Sequence, residues 1–361
     1  MMDDKIFDNS ETLQSFAETY YTYTKEEVVT DTITIFNCGL SVNECKQYLL
    51  NMTDTCVLIK FTDNNILTYI HLAEYYCFAE KIIIYVVDEY ILKCNKFYEI
   101  LCNHESINKI LIDKFSNGFN NNITNETFEY LHKINILLFD QTKKLDSRLI
   151  NDDNLQKFKY LNDLDISCNN NATNNGIKHF NLYALHLRHN NNITNDGIKH
   201  LYLHVLTIPC NNIITNEGIK HMHKTLRILC IACSNLITDE GLKDLQLHTL
   251  YIPYNKLITN KGIRHMQLHT LHVSRNKIIT NEGIRHMRHS LHVLHADGSC
   301  KITDEGIKDM NLTELNASHN KNITNEGIKD MNLTELYASS NNNITKEGVN
   351  HMTNIKCYDY L

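Results

Sequence analysis

No excess of positive charge is present. Lysines and arginines number 35 against 42 acidic residues, a formal charge of −7. That gives no electrostatic reason to expect nucleic acid or an anionic membrane as partner. No apolar run approaches the roughly 18–20 residues of a membrane span. The longest, Ile82-Ile83-Ile84-Tyr85-Val86-Val87, is far too short. The opening Met1-Met2-Asp3-Asp4-Lys5 lacks the basic start of a signal peptide, and no apolar stretch follows it. The expected location is therefore intracellular, cytoplasmic rather than nuclear, with the twelve cysteines mostly reduced. Asn-x-Thr triplets such as Asn192-Ile193-Thr194 then read as by-products of a repeat, not as sugar sites.

Glycine is scarce as well, at 12 residues, and nine of these keep a register: Gly176, Gly197, Gly218, Gly241, Gly262, Gly283, Gly306, Gly327 and Gly348. Their spacing is 21 or 23 residues, and Thr-Asp-Glu-Gly recurs after 65, at 238–241 and 303–306. The array therefore reads as grown by copying blocks of three repeats. Each copy follows L-x-x-L-x-L/I/V-x-x-N-x-x-I-T-N/D-E-G-I-x-x-M, as in Leu268–Met287. The two extra residues of the longer copies fall after the helix start, in His223-Lys224-Thr225 and Arg288-His289-Ser290.

The physics of one unit follows from its spacing. Leu271 and Val273 are two apart and face one way, as in a strand, while His272 faces the other. Strands are expected near 164–166, 185–187, 206–208, 229–231, 250–252, 271–273, 294–296, 315–317 and 336–338. Ile279, Ile284 and Met287 pack behind. Thr280 is placed to cap a short helix, and Glu282 sits in its first turn, where the helix dipole favours a carboxylate. One unit cannot bury both its apolar sides; stacked neighbours do.

The glycine position has two candidate causes: a dihedral that alanine avoids, or a neighbouring coil that a side chain would strike. At the end of each strand, Asn169, Asn190, Asn211, Asn255, Asn276, Asn320 and Asn341 form a structural ladder, their side chains bonding turn amides of their own and adjacent coils. Ser234 and Ser299 take that slot in two copies.

The array resembles leucine-rich repeats, and its I-T-D/N-E-G-I/L core is similar to their cysteine-containing subtype, found in F-box/LRR proteins. The likeness covers 161–345. It implies an α/β fold, a horseshoe with parallel strands inside and short helices outside. Two departures are visible: the repeats are shorter than that subtype's, and Asn or Ser stands in its Cys slot. The resemblance also implies substrate recognition for a ubiquitin ligase. Against an F-box, the chain has no tryptophan and no Leu-Pro opening.

Three domains are expected: 1–115, a mainly helical adaptor or cap; 116–160, degenerate first repeats with Thr127 and Asn154 in the glycine slot; and 161–361, the array with a C-terminal cap. Within the first, Ile66–Leu92 is weakly similar to the C-terminal helices of the BTB/POZ family.

The outward strand positions vary from copy to copy, as a binding surface should. They give the expected partner-binding residues of the concave face: His186, Arg188, Val205, Ile228, Tyr251, His272, His295 and Tyr337. Both prolines of the chain, Pro209 and Pro253, fall beside these; proline cannot donate to a ladder, so their column should mark the strand's end. His179, His200, His221, His265 and His286 share one helix-side position and are expected to face water. Cys230-Ile231-Ala232-Cys233 is a lone CxxC, and Cys168, His189, Cys210 and Cys233 stack along a line before the Asn slot, whereas zinc wants four converging ligands. No metal, cofactor or catalytic residue is therefore expected. The expected function is a non-enzymatic protein–protein interaction module; the alternative to the ubiquitin link is a repeat scaffold or host-factor binder.

Overall fold

The computed structural model describes residues 124–358, apart from 135, 234, 235 and 354. The domain expected over 1–115, with its BTB/POZ-like stretch, lies outside the described residues, as does Ser234.

Each copy becomes a three-residue strand and a single helical turn. Among the described residues the strands are β1 Lys144–Asp146, β2 Asp163–Asp165, β3 Ala184–His186, β4 Val205–Thr207, β5 Ile228–Cys230, β6 Thr249–Tyr251, β7 Thr270–His272, β8 Val293–His295, β9 Glu314–Asn316, β10 Glu335–Tyr337 and β11 Lys356–Tyr358. They form one parallel sheet in chain order. The leucines stay in step throughout: Leu164 pairs with Leu185, and Leu250 with Leu271. Two helices, α1 Asn125–Ile134 and α2 Ile136–Gln141, precede the sheet. The turns that return the chain begin with α3 Asp152–Leu155 and α4 Asn174–Ile177 and end with α12 Lys346–Val349. In the two 23-residue copies, 3-10 turns at Lys220–Met222 and Arg285–Met287 lead into the added residues.

The core is a set of apolar columns running through the stack. Leu164, Leu185, Leu206, Leu229, Leu250, Leu271, Leu294, Leu315 and Leu336 are fully buried. Ile177, Ile198, Ile219, Ile263 and Ile284 close it from the helix side. Each such residue contributes about 1.5–3 kcal/mol by leaving water. At the N-terminal end Phe158 packs against Phe139 and Phe128, with ring centroids 4.7 and 6.0 Å apart.

The strands lie one residue earlier than the sequence spacing suggests, at Thr270–His272 instead of 271–273. The facing is as expected: Leu271 and Val273 are buried and His272 is half-buried. The shift arises because the ladder outlasts the regular strand, with the Val273 amide still donating to His295 O at 2.8 Å. Three residues past the strand comes a left-handed corner, at Cys168, His189, Cys210, Cys233, Tyr254, Arg275, His319 and Ser340, with φ between 51° and 57°. L-residues adopt this conformation at a cost of about 1–3 kcal/mol. From Cys168 to His319 each corner amide is fixed by the next coil, as Cys168 N is by Arg188 O at 2.7 Å. Gly298 fills the same corner in one copy, at φ 72°.

Candidate binding face

Three columns of side chains stand on the strand face. In the central one, His186 Nδ1 meets Thr207 Oγ1 at 2.8 Å. Further along, Tyr251 packs on His272 with centroids 4.1 Å apart, and His272 on His295 at 3.9 Å. Tyr337 lies 6.3 Å beyond His295. The spacing of these rings is close to that of the strands carrying them, about 4.8 Å. Burial, and then the neighbouring His295, push His272 down to about 3. Its imidazole is therefore neutral at physiological pH. Burial likewise raises the Tyr251 phenol.

Val205 and Ile228, half-buried, stand in the column on the strand-entry side. That column turns acidic at both ends. His295 Nε2 meets Glu314 Oε1 at 2.8 Å. Asp163 Oδ1 lies 3.4 Å from His186 Nε2, without hydrogen-bond geometry. Burial pushes the Asp163 carboxyl up, but His186 and Lys144 beside it outweigh that and hold it below the usual carboxylate range. Exposed Arg188 belongs to the column two residues past the strands. Pro209 and Pro253 stand in that column too, and their carbonyls accept from His189 N and Cys233 N at 3.3 and 3.1 Å. Each proline's missing N–H falls beyond its three-residue strand.

The asparagines lie behind this face and are buried. Asn190 Oδ1 accepts from the amides of Asn192 and Ile193 at 3.0 Å, and its Nδ2 donates to Ile166 O and Asn169 O, also at 3.0 Å. Asn276 does the same for Ile278 N, Ile279 N and Ile252 O. Asn169, Asn211, Asn255, Asn320 and Asn341 likewise accept from an amide of their own turn and donate to carbonyls of the preceding coil. In the copy bearing Ser299, the serine is exposed. Cys300, one residue on, is buried in its place, with its thiol beside the amides of Ile302 and Lys301. Burial holds that thiol up at about 11.

A second ladder escaped the sequence reading. The first residue of each helical turn holds the threonine at the N-cap position of the next. Thr238, Thr280, Thr303 and Thr345 make no side-chain cap bond of their own, Thr280 included although the sequence placed it to cap. Asn195 Oδ1 accepts from Thr215 N at 3.0 Å while its Nδ2 donates to Thr215 Oγ1 at 2.8 Å. Where Asp stands instead, the hydroxyl reverses: Thr259 Oγ1 donates to Asp239 Oδ2 at 2.6 Å. The signal was in the repeat, where Asn or Asp follows threonine in every copy but the last. That copy has Lys346, and no cap-bearing coil follows it among the described residues. The clamp also explains the glycines. A Cβ on Gly197 would stand 2.2 Å from Asn174 Oδ1, and one on Gly348 2.0 Å from Asn325 Oδ1. These glycines are not in the left-handed region; the neighbouring coil is the cause.

One further expectation needs correction. His221 and His286 do not simply face water: each Nε2 lies 2.9 Å from a carbonyl of the preceding coil, Leu201 O and Met266 O. His179, His200 and His265 are exposed. Among the described residues no three His, Cys, Asp or Glu side chains are grouped to hold a metal. Burial first, then Cys210, raise the Cys233 thiol; burial also raises that of Cys230. Both therefore stay protonated near neutrality, the less nucleophilic form of a thiol. No helix among the described residues is long and apolar enough to cross a membrane.

Comparison with known proteins agrees with this architecture. A leucine-rich-repeat family model matches residues 178–201, 264–285 and 308–331. No curated protein matches the chain. Among solved structures, a chain of the yeast Rad7–Elc1 complex is similar at 16% identity and a TM-score of 0.52, covering 84% of this chain and 98% of that one. A chain of the TLR13–ssRNA13 complex aligns at 15% identity and a TM-score of 0.33, over 61% of this chain and 45% of that one. With its single parallel sheet and one helical turn per coil, the fold is that of a leucine-rich-repeat solenoid.

Proposed function

We propose that the chain is a non-enzymatic protein-recognition module that holds its partner on the concave strand face. The observation that supports this best is a contrast between positions. Core, clamp and ladder residues repeat from copy to copy and carry little information. The strand face varies, and it carries a half-buried ring stack, Tyr251 on His272 on His295, already ordered before anything binds. Rigid aromatic groups with one polar edge are suitable interface anchors. His186, Arg188, Val205, Ile228 and Tyr337 complete the proposed contact.

The finer reading is substrate recognition for a ubiquitin ligase, with residues 1–115 engaging ligase components. It is supported by the likeness of the repeat core to F-box/LRR proteins. A similar fold also occurs in a complex of two proteins, Rad7 and Elc1. The repeat's departures from that subtype, its shorter length and the Asn or Ser in the Cys slot, favour the second reading, a scaffold or host-factor binder unconnected with ubiquitin. Affinity capture separates them. Proteins retained by the full chain and lost with Tyr251→Ala are partners of the strand face. If these are accompanied by ligase components that disappear on deleting 1–115, the ubiquitin reading stands; if none accompany them, the scaffold reading does.

A further inference from the structure

One position on the strand-exit rim changes character along the array. Two residues after the ladder slot stand Asn171 and Asn192 in the first copies and Asn322 and Asn343 in the last. Each of these donates its Nδ2 to a carbonyl of the preceding coil, at 2.7, 2.7, 3.4 and 2.8 Å. In the four coils of β4 to β7 the same position holds Ile213, Leu236, Leu257 and Ile278. All four are solvent-accessible, Leu257 and Ile278 at 37% and 38% exposure. The substitution gives up an inter-coil hydrogen bond and puts a branched apolar side chain into water. Neither helps the fold, and a contiguous exposed apolar strip is the usual mark of a contact surface. Pro253 and exposed Tyr254 join the strip to the strand face.

The charge within the strip's own turns, residues 254–258, 275–279 and 298–302, is of one sign. Lys256 and Lys277 immediately precede Leu257 and Ile278, and Lys301 takes the strip's position in the next coil; all three are exposed. Among the described residues none of them forms an ion pair, whereas helix-side Lys199, Lys220, Lys243 and Lys329 are each paired with a carboxylate three residues earlier. We propose that this rim docks a protein segment of acidic, amphipathic character, its apolar side chains on Ile213–Ile278 and its carboxylates on the unpaired lysines. Four coils at about 4.8 Å spacing give a strip of roughly 14 Å, the length of two to three helical turns. The surface is distinct from the ring stack of the strand face and stands without it.

The test uses the full chain and fluorescence anisotropy at low salt. One labelled peptide repeats Leu-Glu-Glu-Leu, and its counterpart carries Lys for Glu. The Glu peptide should bind about ten-fold tighter, although the chain's own charge of −7 favours the Lys peptide at long range. Replacing Ile213, Leu236, Leu257 and Ile278 by Asn should remove binding while the melting temperature holds or rises. Lys256→Gln with Lys277→Gln, both exposed sites, should weaken the Glu peptide and spare the Lys peptide; Tyr251→Ala should leave both unchanged. Tighter binding of the Lys peptide, or undiminished binding after the four Asn substitutions, overturns the proposal. So does a dimer, seen by light scattering, that those substitutions dissociate, since the strip would then cover a second copy.

Discussion

Asn216 Oδ1 lies 2.3 Å from where a Cβ on Gly241 would stand. The same oxygen accepts the amide of Thr238 at 3.0 Å, so it cannot withdraw without releasing that amide. Gly241→Ala should therefore cost about 1–3 kcal/mol by overpacking. In urea unfolding, the added change Asn216→Ala should recover part of the loss, because two contacting sites are not additive. Full additivity would point to the backbone dihedral instead of the neighbouring coil.

The ladder asparagines should be the polar residues most costly to lose. Asn276→Ala strands the amides of Ile278 and Ile279 in the interior, at an expected cost of about 2–4 kcal/mol. Ser299→Ala, at the same slot but exposed, should move stability by less than about 0.5 kcal/mol. Cys300→Ala should cost more than Ser299→Ala, since the thiol occupies the space the serine leaves. Unfolding midpoints of the three variants decide the order; equal losses at Ser299 and Cys300 would refute the substitution of one for the other.

His272 makes stability depend on pH. Its folded value, about 3, lies below the ordinary value of 6.5, so the fold favours the neutral ring. The associated stability is complete above the unfolded value and is lost as pH falls from about 6.5 towards 3. His269, stacked between His248 and His292 at 4.7 and 4.8 Å, is lowered by burial and by those two rings and adds in the same direction. Melting temperatures between neutral and mildly acid pH should fall less steeply for His272→Gln than for the parent chain. Parallel curves would show that the ring is not the cause.

Binding on the strand face should concentrate in the ring stack. Tyr251→Ala is expected to weaken a captured partner about 30-fold or more, the effect of losing a central aromatic anchor. His200→Ala with His265→Ala, both exposed and on the helix side, should change neither capture nor folding. Loss of capture with the helix-side pair alone would move the working surface to the opposite side.

How far the sequence carried the structure differs by feature. Leu271, Val273 and His272 show their facing in the spacing alone, because a period of two admits only one assignment once leucine must be buried. The strand boundaries came out one residue late, since hydrogen bonding past the strand leaves no compositional trace. The Asn216–Thr238 clamp was visible as a constant pair of letters, but its meaning needs two coils side by side. The exchange of Ser299 for Cys300 rests on a local slip of one residue that spacing conceals. Charge was legible where a carboxylate stands three residues earlier, as Glu240 does before Lys243, and Lys256, with Pro253 in that place, has no such partner.

The clamp has a genetic corollary. From α3 to α12 every joint between coils is made by the same two parts, a threonine and an Asn or Asp that serves it in either hydrogen-bonding sense. A crossover that removes or adds a 65-residue block, such as 239–303, thus rejoins matching halves and leaves no mismatched seam. The molecule can lengthen or shorten by unequal recombination without passing through a misfolded ancestor, and its span becomes something selection can adjust in whole steps.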